Sequence, residues 1–358
     1  MYYPDLEWTL RIANWLGVHP EKKNNVRQVL QYLMLLWTWL MIPFLTLILL
    51  SKLPVVTIRH IVGLSVNFFM FVNSTVKLST LFVHRSKIQD LVGRTRNFWK
   101  LKNYEQAVKS TRFIRNIYAS IVSLIILRVV VKNHVSGKGM TFRVYRPKWI
   151  PRMAIILLED FACISATATY ICFDVLVRTF LVLLQMQFEM LNEEFTAIYQ
   201  NCKELSRDEL DKKLRRCVDH HNYLNNFLNL FSGTFSTALI IFIGNITLSL
   251  CVVMYVILEV SSNINHCTHL IAGLNMIFTC YAWPAQAMMN EANAVRNAVY
   301  LSDWHLYSGH QKHILIVLMG CLKTIEIKAG GILRIDMEMF MMSCKTMVSY
   351  CMFLRTVS

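Results

Sequence analysis

Apolar residues along this chain run in blocks too long for the strands or core helices of a soluble protein. Windows of about 20 residues, the length that crosses a hydrocarbon core of ~30 Å, give seven spans, at 29 to 51, 55 to 84, 113 to 133, 153 to 186, 227 to 258, 264 to 289 and 333 to 355. The second, fourth and fifth are longer than a bilayer needs and pass into polar helical sequence such as QMQFEMLNEEF, which predicts helices that project beyond the membrane. The hydrophilic linkers 85 to 112 and 190 to 226 contain no Pro and almost no Gly, so they too are expected to be helical. The expected architecture is all-α and polytopic. It has a segment at 1 to 28, six spans over 29 to 289, a polar anchor at 290 to 332 and a last helix at 333 to 358.

Composition agrees with that pattern. A chain of 358 residues with 55% hydrophobic and only 16% charged side chains has too little polar surface to coat a soluble globule. The ten cysteines contain no CxxC pair and fall mostly in apolar runs, as small buried hydrophobes do. The first 28 residues lack the pattern of a cleaved signal peptide, so the first span is expected to insert itself.

Charge sets the expected orientation. The N-terminal segment, the two linkers and the anchor hold 22 Lys and Arg, against about 10 on the other side. Positive residues stay inside, which puts the N-terminus in the cytosol and, after seven crossings, the C-terminus outside. Loop 128 to 152, with seven basic residues, reduces the asymmetry without reversing it. This orientation is the inverse of a G-protein-coupled receptor, and neither D-R-Y after span three nor N-P-x-x-Y in span seven is present. The net charge of +15 sits beside membrane segments, where anionic lipid is a simpler partner than nucleic acid.

Few side chains suggest other chemistry. Asp174 and Arg178 are four apart on span four and can pair on one helix face, while Lys77, deep in span two, needs a partner that the sequence does not name. The HxxH spacings at His266 and His269 and at His310 and His313 have no nearby Cys or carboxylate to complete a metal set, so no metal or other cofactor is expected. Asn73-Ser-Thr and Asn245-Ile-Thr match the glycosylation pattern but lie inside spans. No phosphate loop, dinucleotide motif or nucleophile elbow is present, and no acids, His or Cys cluster at one depth, so no enzyme is expected. A transporter should carry broken helices in corresponding halves, and Pro43 and Pro284 do not correspond.

Within 290 to 355 an ordered set of residues stands at Tyr300, Asp303, Trp304, Gln311, Lys312, Lys323, Ala329, Gly330, Phe340, Lys345, Ser349, Tyr350 and Leu354. In this order the stretch resembles the C-terminal region of the insect odorant receptors. QFEML at the end of span four and RRCVDHHNYL before span five sit where that family has similar residues, whereas GILRIDMEMF departs from its usual lead-in to the last helix. The sister gustatory receptors, the alternative within the same class, have a last-helix motif that is absent here. The resemblance implies an odorant-gated, non-selective cation channel in the plasma membrane of a sensory neuron. It would be a tetramer in which this subunit joins a shared co-receptor, or a homotetramer, with the seventh helix of each subunit lining the pore.

On that helix Met339, Met342, Thr346, Ser349, Tyr350, Phe353 and Val357 share a face, and alignment of the chain end with the family puts the outer constriction at Phe353 and Val357. Asp336 and Glu338 would form an inner acidic vestibule. Trp304, Tyr307, Gln311 and Lys312 would lie at the subunit contacts of the anchor. Mapping the family's pocket geometry implies a small, apolar, volatile ligand among Phe68, Phe69 and Val72 on span two, Ser123 and Leu127 on span three, Phe161 and Ser165 on span four, and Ile271 and Asn275 on span six.

Overall fold

The computed structural model describes residues 4–19, 26–52, 58–100, 104–135, 151–199, 207–259, 264–306, 309 and 311–357. Its helices are α1 (Pro4–Trp15), α2 (Val26–Lys52), α3 (Ile58–Val83), α4 (Arg85–Arg94), α5 (Tyr104–Val135), α6 (Arg152–Ala197), α7 (Arg207–Glu259), α8 (Ile264–Met276), α9 (Trp283–Leu301), α10 (Gln311–Gly320) and α11 (Met337–Val357). The seven apolar stretches fall on α2, α3, α5, α6, α7, the α8–α9 unit and α11. At 1.5 Å per residue, the 46 residues of α6 and 53 of α7 reach roughly 70 and 80 Å, more than twice a hydrocarbon core. These helices therefore carry the bundle well past the membrane, as their polar ends predict.

The central post is α6. Every residue from Ile171 to Leu184 is buried, so this helix is enclosed on all sides. Its Phe173 and Phe180 meet Phe227, Phe231 and Phe235 of α7 at ring separations of 5.6 to 6.4 Å, largely edge-to-face. Around the post pack α1, α2, α3, α5, α7 and α9. The small N-terminal helix α1, which the apolar pattern does not show, buries Leu6, Leu10 and Ala13.

One linker and the polar anchor contain irregular segments. Segment 85 to 112 is helical to Asn97, including a 3₁₀ turn at Thr95–Asn97, breaks at Phe98 to Lys100, and is helical again from Tyr104 in α5. The break is stabilised from outside the backbone: the buried Gln187 accepts from the Trp99 N–H at 2.8 Å and donates to its carbonyl at 3.0 Å. Trp99 stacks on His220 at 4.0 Å, and the His220 Nε2 is 3.1 Å from the same Gln187 oxygen. The polar anchor also contains a β-hairpin, β1 (Lys328–Ala329) against β2 (Leu333–Arg334), turned by Gly330 and Gly331 at φ of 60° and 73°. It is tied to α7 by the Gly330 N–H on the Ser236 carbonyl and the Ser236 hydroxyl on the Lys328 carbonyl.

Pro284 explains the shape of the sixth span. It lies in the first turn of α9, has no N–H, and its ring would collide with the carbonyl four residues back. The preceding turn, Ile277–Ala282, widens into a π-helix.

The bundle closes around one buried ion pair. Lys77 of α3 and Asp174 of α6 are wholly inaccessible, with Nζ 2.5 Å from Oδ1. Tyr118 of α5 donates to the Asp174 Oδ2 at 2.5 Å, and Tyr281 of the π-turn donates to Oδ1. The rings of Phe242 and Tyr170 lie 3.9 and 4.1 Å from the ammonium. Asp174 thus engages Lys77, 97 residues away, and the Arg178 guanidinium donates to the Thr279 carbonyl at 3.1 Å.

Removing one partner leaves the other charge buried without its counter-charge, a loss of about 3–5 kcal/mol. Lys77→Met should therefore lower the unfolding midpoint of the detergent-purified protein sharply. Adding Asp174→Asn, which removes the charge, leaves an acceptor for one tyrosine and an amide N–H that the oxygen of the other can accept, and should restore at least half of the loss. A second expectation concerns His220, which burial, with Arg216 beside it, lowers from 6.5 to about 4. Its unfolded form takes up a proton first, so stability from this residue is complete above about pH 6.5 and is lost as pH falls towards 4. A midpoint measured across that window should fall less in His220→Phe, which keeps a ring against Trp99; the remaining slope includes His221, lowered in the same direction by burial.

Candidate ligand cavity and pore helix

A cavity of about 120 Å³ opens beside the ion pair. Its walls are Phe69, Met70 and Asn73 of α3, Tyr118 and Val122 of α5, Thr167 and Tyr170 of α6, Ile246 and Ser249 of α7, and His269, Ala272, Gly273 and Met276 of α8. The lining is mostly apolar. Gly273 lets α8 approach α7 closely, since a Cβ there would lie 2.7 Å from a Leu250 methyl. Tyr118 and Tyr170 belong to both structures: their rings face the cavity, while one donates to Asp174 and the other lies against the Lys77 ammonium.

Of the residues expected at a ligand site, Phe69 lines this cavity. Val72 is half-buried next to Asn73, and Asn275 is half-buried with its carbonyl accepting from Thr279. Ser165 is buried, accepting from the Trp39 indole at 2.9 Å and donating to the Ala162 carbonyl. Phe68, Ser123, Leu127, Phe161 and Ile271 are exposed on the outside of this single chain. Tyr118, Tyr170, His269, Ile246 and Ser249 were not anticipated. The available signal was polar or aromatic character inside an apolar span, which Tyr118, Tyr170 and His269 all show.

The last helix, α11, attaches along a narrow stripe: Met339, Met347 and Cys351 are buried, with Phe340, Ser343 and Cys344 partly so. Met342, Thr346, Ser349, Tyr350 and Phe353 are all exposed on the rest of its surface, as is Lys345. The Val357 side chain lies outside the described residues. Asp336 caps the helix, its Oδ1 accepting from the Met339 N–H at 2.8 Å and its Oδ2 meeting Arg334 at 2.9 Å, while Glu338 is exposed. Phe340 is 5.5 Å from Phe278 of the π-turn. In the anchor, Trp304 is partly buried with its indole donating to the Tyr300 carbonyl, Gln311 and Lys312 are exposed, and Tyr307 lies outside the described residues. Among the described residues no three His, Cys, Asp or Glu converge as a metal set.

Comparisons with known proteins agree with this architecture. The olfactory receptor OR5 of the insect Machilis hrabei has a similar fold, with a TM-score of 0.81 and 13% identity, covering 98% of each chain. The structure of that receptor in complex with eugenol gives 0.78 and 15%, again over 98% of each. No curated protein sequence matches. The 7tm Odorant receptor family model matches residues 55–348, and the chain therefore belongs to the odorant-receptor family, whose members are seven-helix membrane receptors and not enzymes.

Proposed function

We propose that this protein is an odorant-gated, non-selective cation channel subunit of the plasma membrane, working with a shared co-receptor in a tetramer. Its N-terminus is cytosolic and its C-terminus extracellular, with the segment 290 to 332 as the inner anchor and 333 to 358 as the pore helix. The observation that carries this reading is an unbroken line of contact from the cavity to α11. Tyr118 and Tyr170 form both the cavity wall and the setting of the ion pair; Asp174 accepts from Tyr281 in the π-turn; Phe278 of that same turn packs on Phe340 of α11. A π-turn can interconvert with α-helical geometry by shifting one residue in register. A small apolar molecule that fills the cavity and moves the tyrosines biases that choice, and α11 is the next element to respond.

The exposed face of α11 supports a role for Met342, Thr346, Ser349, Tyr350 and Phe353 at a shared axis, with Phe353 and Val357 as a constriction that closes by dewetting. At the inner mouth Asp336 is engaged as the helix cap and Glu338 is the free carboxylate available to cations. The ligand residues proposed remain Phe68, Phe69, Val72, Ser123, Leu127, Phe161, Ser165, Ile271 and Asn275, with Phe69 the member on the cavity itself. Exposed apolar residues on α10, Leu315, Ile316 and Met319, lie in the polar anchor and supply a surface for subunit contact beside Trp304, Tyr307, Gln311 and Lys312.

Whole-cell recording with a co-receptor should show ligand-evoked cation current that persists when G-protein signalling is blocked; absence of current across a broad odorant panel, with the protein at the surface, would count against the channel reading. Phe353→Ala should raise resting leak severalfold, because a wider, less apolar constriction no longer excludes water. Tyr118→Phe keeps the cavity wall and removes the bond to Asp174, so it should shift half-maximal activation by about tenfold, the effect of one charge-assisted hydrogen bond.

A further inference from the structure

The walls of the cavity contain two polar atoms that the protein itself leaves unsatisfied. The Oδ1 of Asn73, on a side chain only 1% exposed, and the Nε2 of His269 are both buried without a hydrogen-bond partner. Buried polar atoms in native structures are almost always paired, so each such exception calls for an explanation. Three hydroxyls on the cavity wall are spent elsewhere. Tyr118 gives its proton to Asp174, Tyr170 gives its single proton to the Met70 carbonyl at 3.2 Å, and Thr167 gives its proton to the Cys163 carbonyl.

We infer that the cavity is built for a small apolar alcohol or phenol whose hydroxyl pairs with Asn73 and His269. Asn73 Oδ1 can only accept, so its partner must bring a proton. The Nε2 of a neutral imidazole is a donor or an acceptor according to tautomer, and a hydroxyl, which both donates and accepts, satisfies either. A ketone, aldehyde or ester accepts only and leaves Asn73 unpaired; a hydrocarbon leaves both. The volume sets the rest of the molecule, since an engineered cavity on the order of 150 Å³ holds a benzene-sized body. This inference rests on the reading of the cavity as the odorant site and names the ligand class for it.

The test uses three molecules of one skeleton, 1-phenylethanol, acetophenone and ethylbenzene, with binding to the purified full chain measured by thermal shift and by displacement of a fluorescent apolar probe. The alcohol should bind about tenfold or more tighter than the ketone, because a site built to receive a hydroxyl is left with unpaired buried groups when it is missing. Asn73→Leu should erase that preference while ethylbenzene binding holds or tightens, which also reports that the variant is folded. His269→Phe should narrow the gap between alcohol and hydrocarbon. Equal affinities across the series, no binding of any member, or a preference untouched by both substitutions would overturn the assignment. Binding needs no channel activity, so an alcohol preference without current would leave this inference standing and fail the channel reading instead.

Discussion

The constraint on which the structure turns is the cost of holding Lys77 and Asp174 away from water. An isolated charge in this environment is so unfavourable that the pair exists only because each remaining valence is met: two phenols on the carboxylate, two aromatic faces on the ammonium. Those partners come from α3, α5, α6, α7 and the π-turn. Meeting the electrostatic demand therefore fixes the mutual position and rotation of five segments, something that dispersion between smooth apolar helices in lipid does weakly. The cavity lies beside this knot because aromatic side chains aimed at a central charge leave space around their flanks.

The same arrangement accounts for the π-turn. Pro284 requires a local change in the hydrogen-bond ladder, and widening the turn before it places Tyr281 and Phe278 on different sides of the span, one on Asp174 and the other on Phe340 of α11. A regular helix would space these side chains differently. Under the proposed function, this irregular turn, held by a hydrogen bond to a buried charge, is the element that would relay a small displacement. The path from cavity to last helix is short, and each link in it is a contact between specific side chains.

Much of this was legible in the chain. Seven apolar blocks gave the spans, and polar continuations of the fourth and fifth gave the projecting helices, because hydrophobic length and helix rise are local properties. Helix rotation was not. In a lipid-facing bundle the outer and inner faces are both apolar, so periodicity does not say which side of α8 is Ile271, exposed, and which is Ala272 and Met276, on the cavity. The residues that could have broken the tie were the polar ones. Lys77 inside span two demanded a partner, and its pairing with Asp174 crosses between helices and depends on their packing. The break at Trp99 was invisible for the same reason, as its backbone is satisfied by a glutamine 88 residues away. By contrast, the Gly-Gly turn of the hairpin was written locally, in two residues at positive φ.

A last step concerns what a single chain leaves uncovered. Lipid can satisfy an apolar helix face within the bilayer, so the exposed methionines of α11 do not by themselves demand a protein neighbour. The exposed Leu315, Ile316 and Met319 of α10 are different, because they sit in the anchor, between polar segments, on a helix whose one buried side chain is Ile314. Lipid does not cover that surface if the anchor is outside the bilayer, and water is an unfavourable neighbour for it. Under the proposed orientation a second subunit is the natural cover there, and α11 follows the anchor directly in sequence through the hairpin tied to α7. Assembly at α10 would then set where α11 stands relative to a common axis. Under the proposed function the anchor and α11 would act as one mechanical unit, because a subunit contact at α10 would also position the helix that would gate the pore.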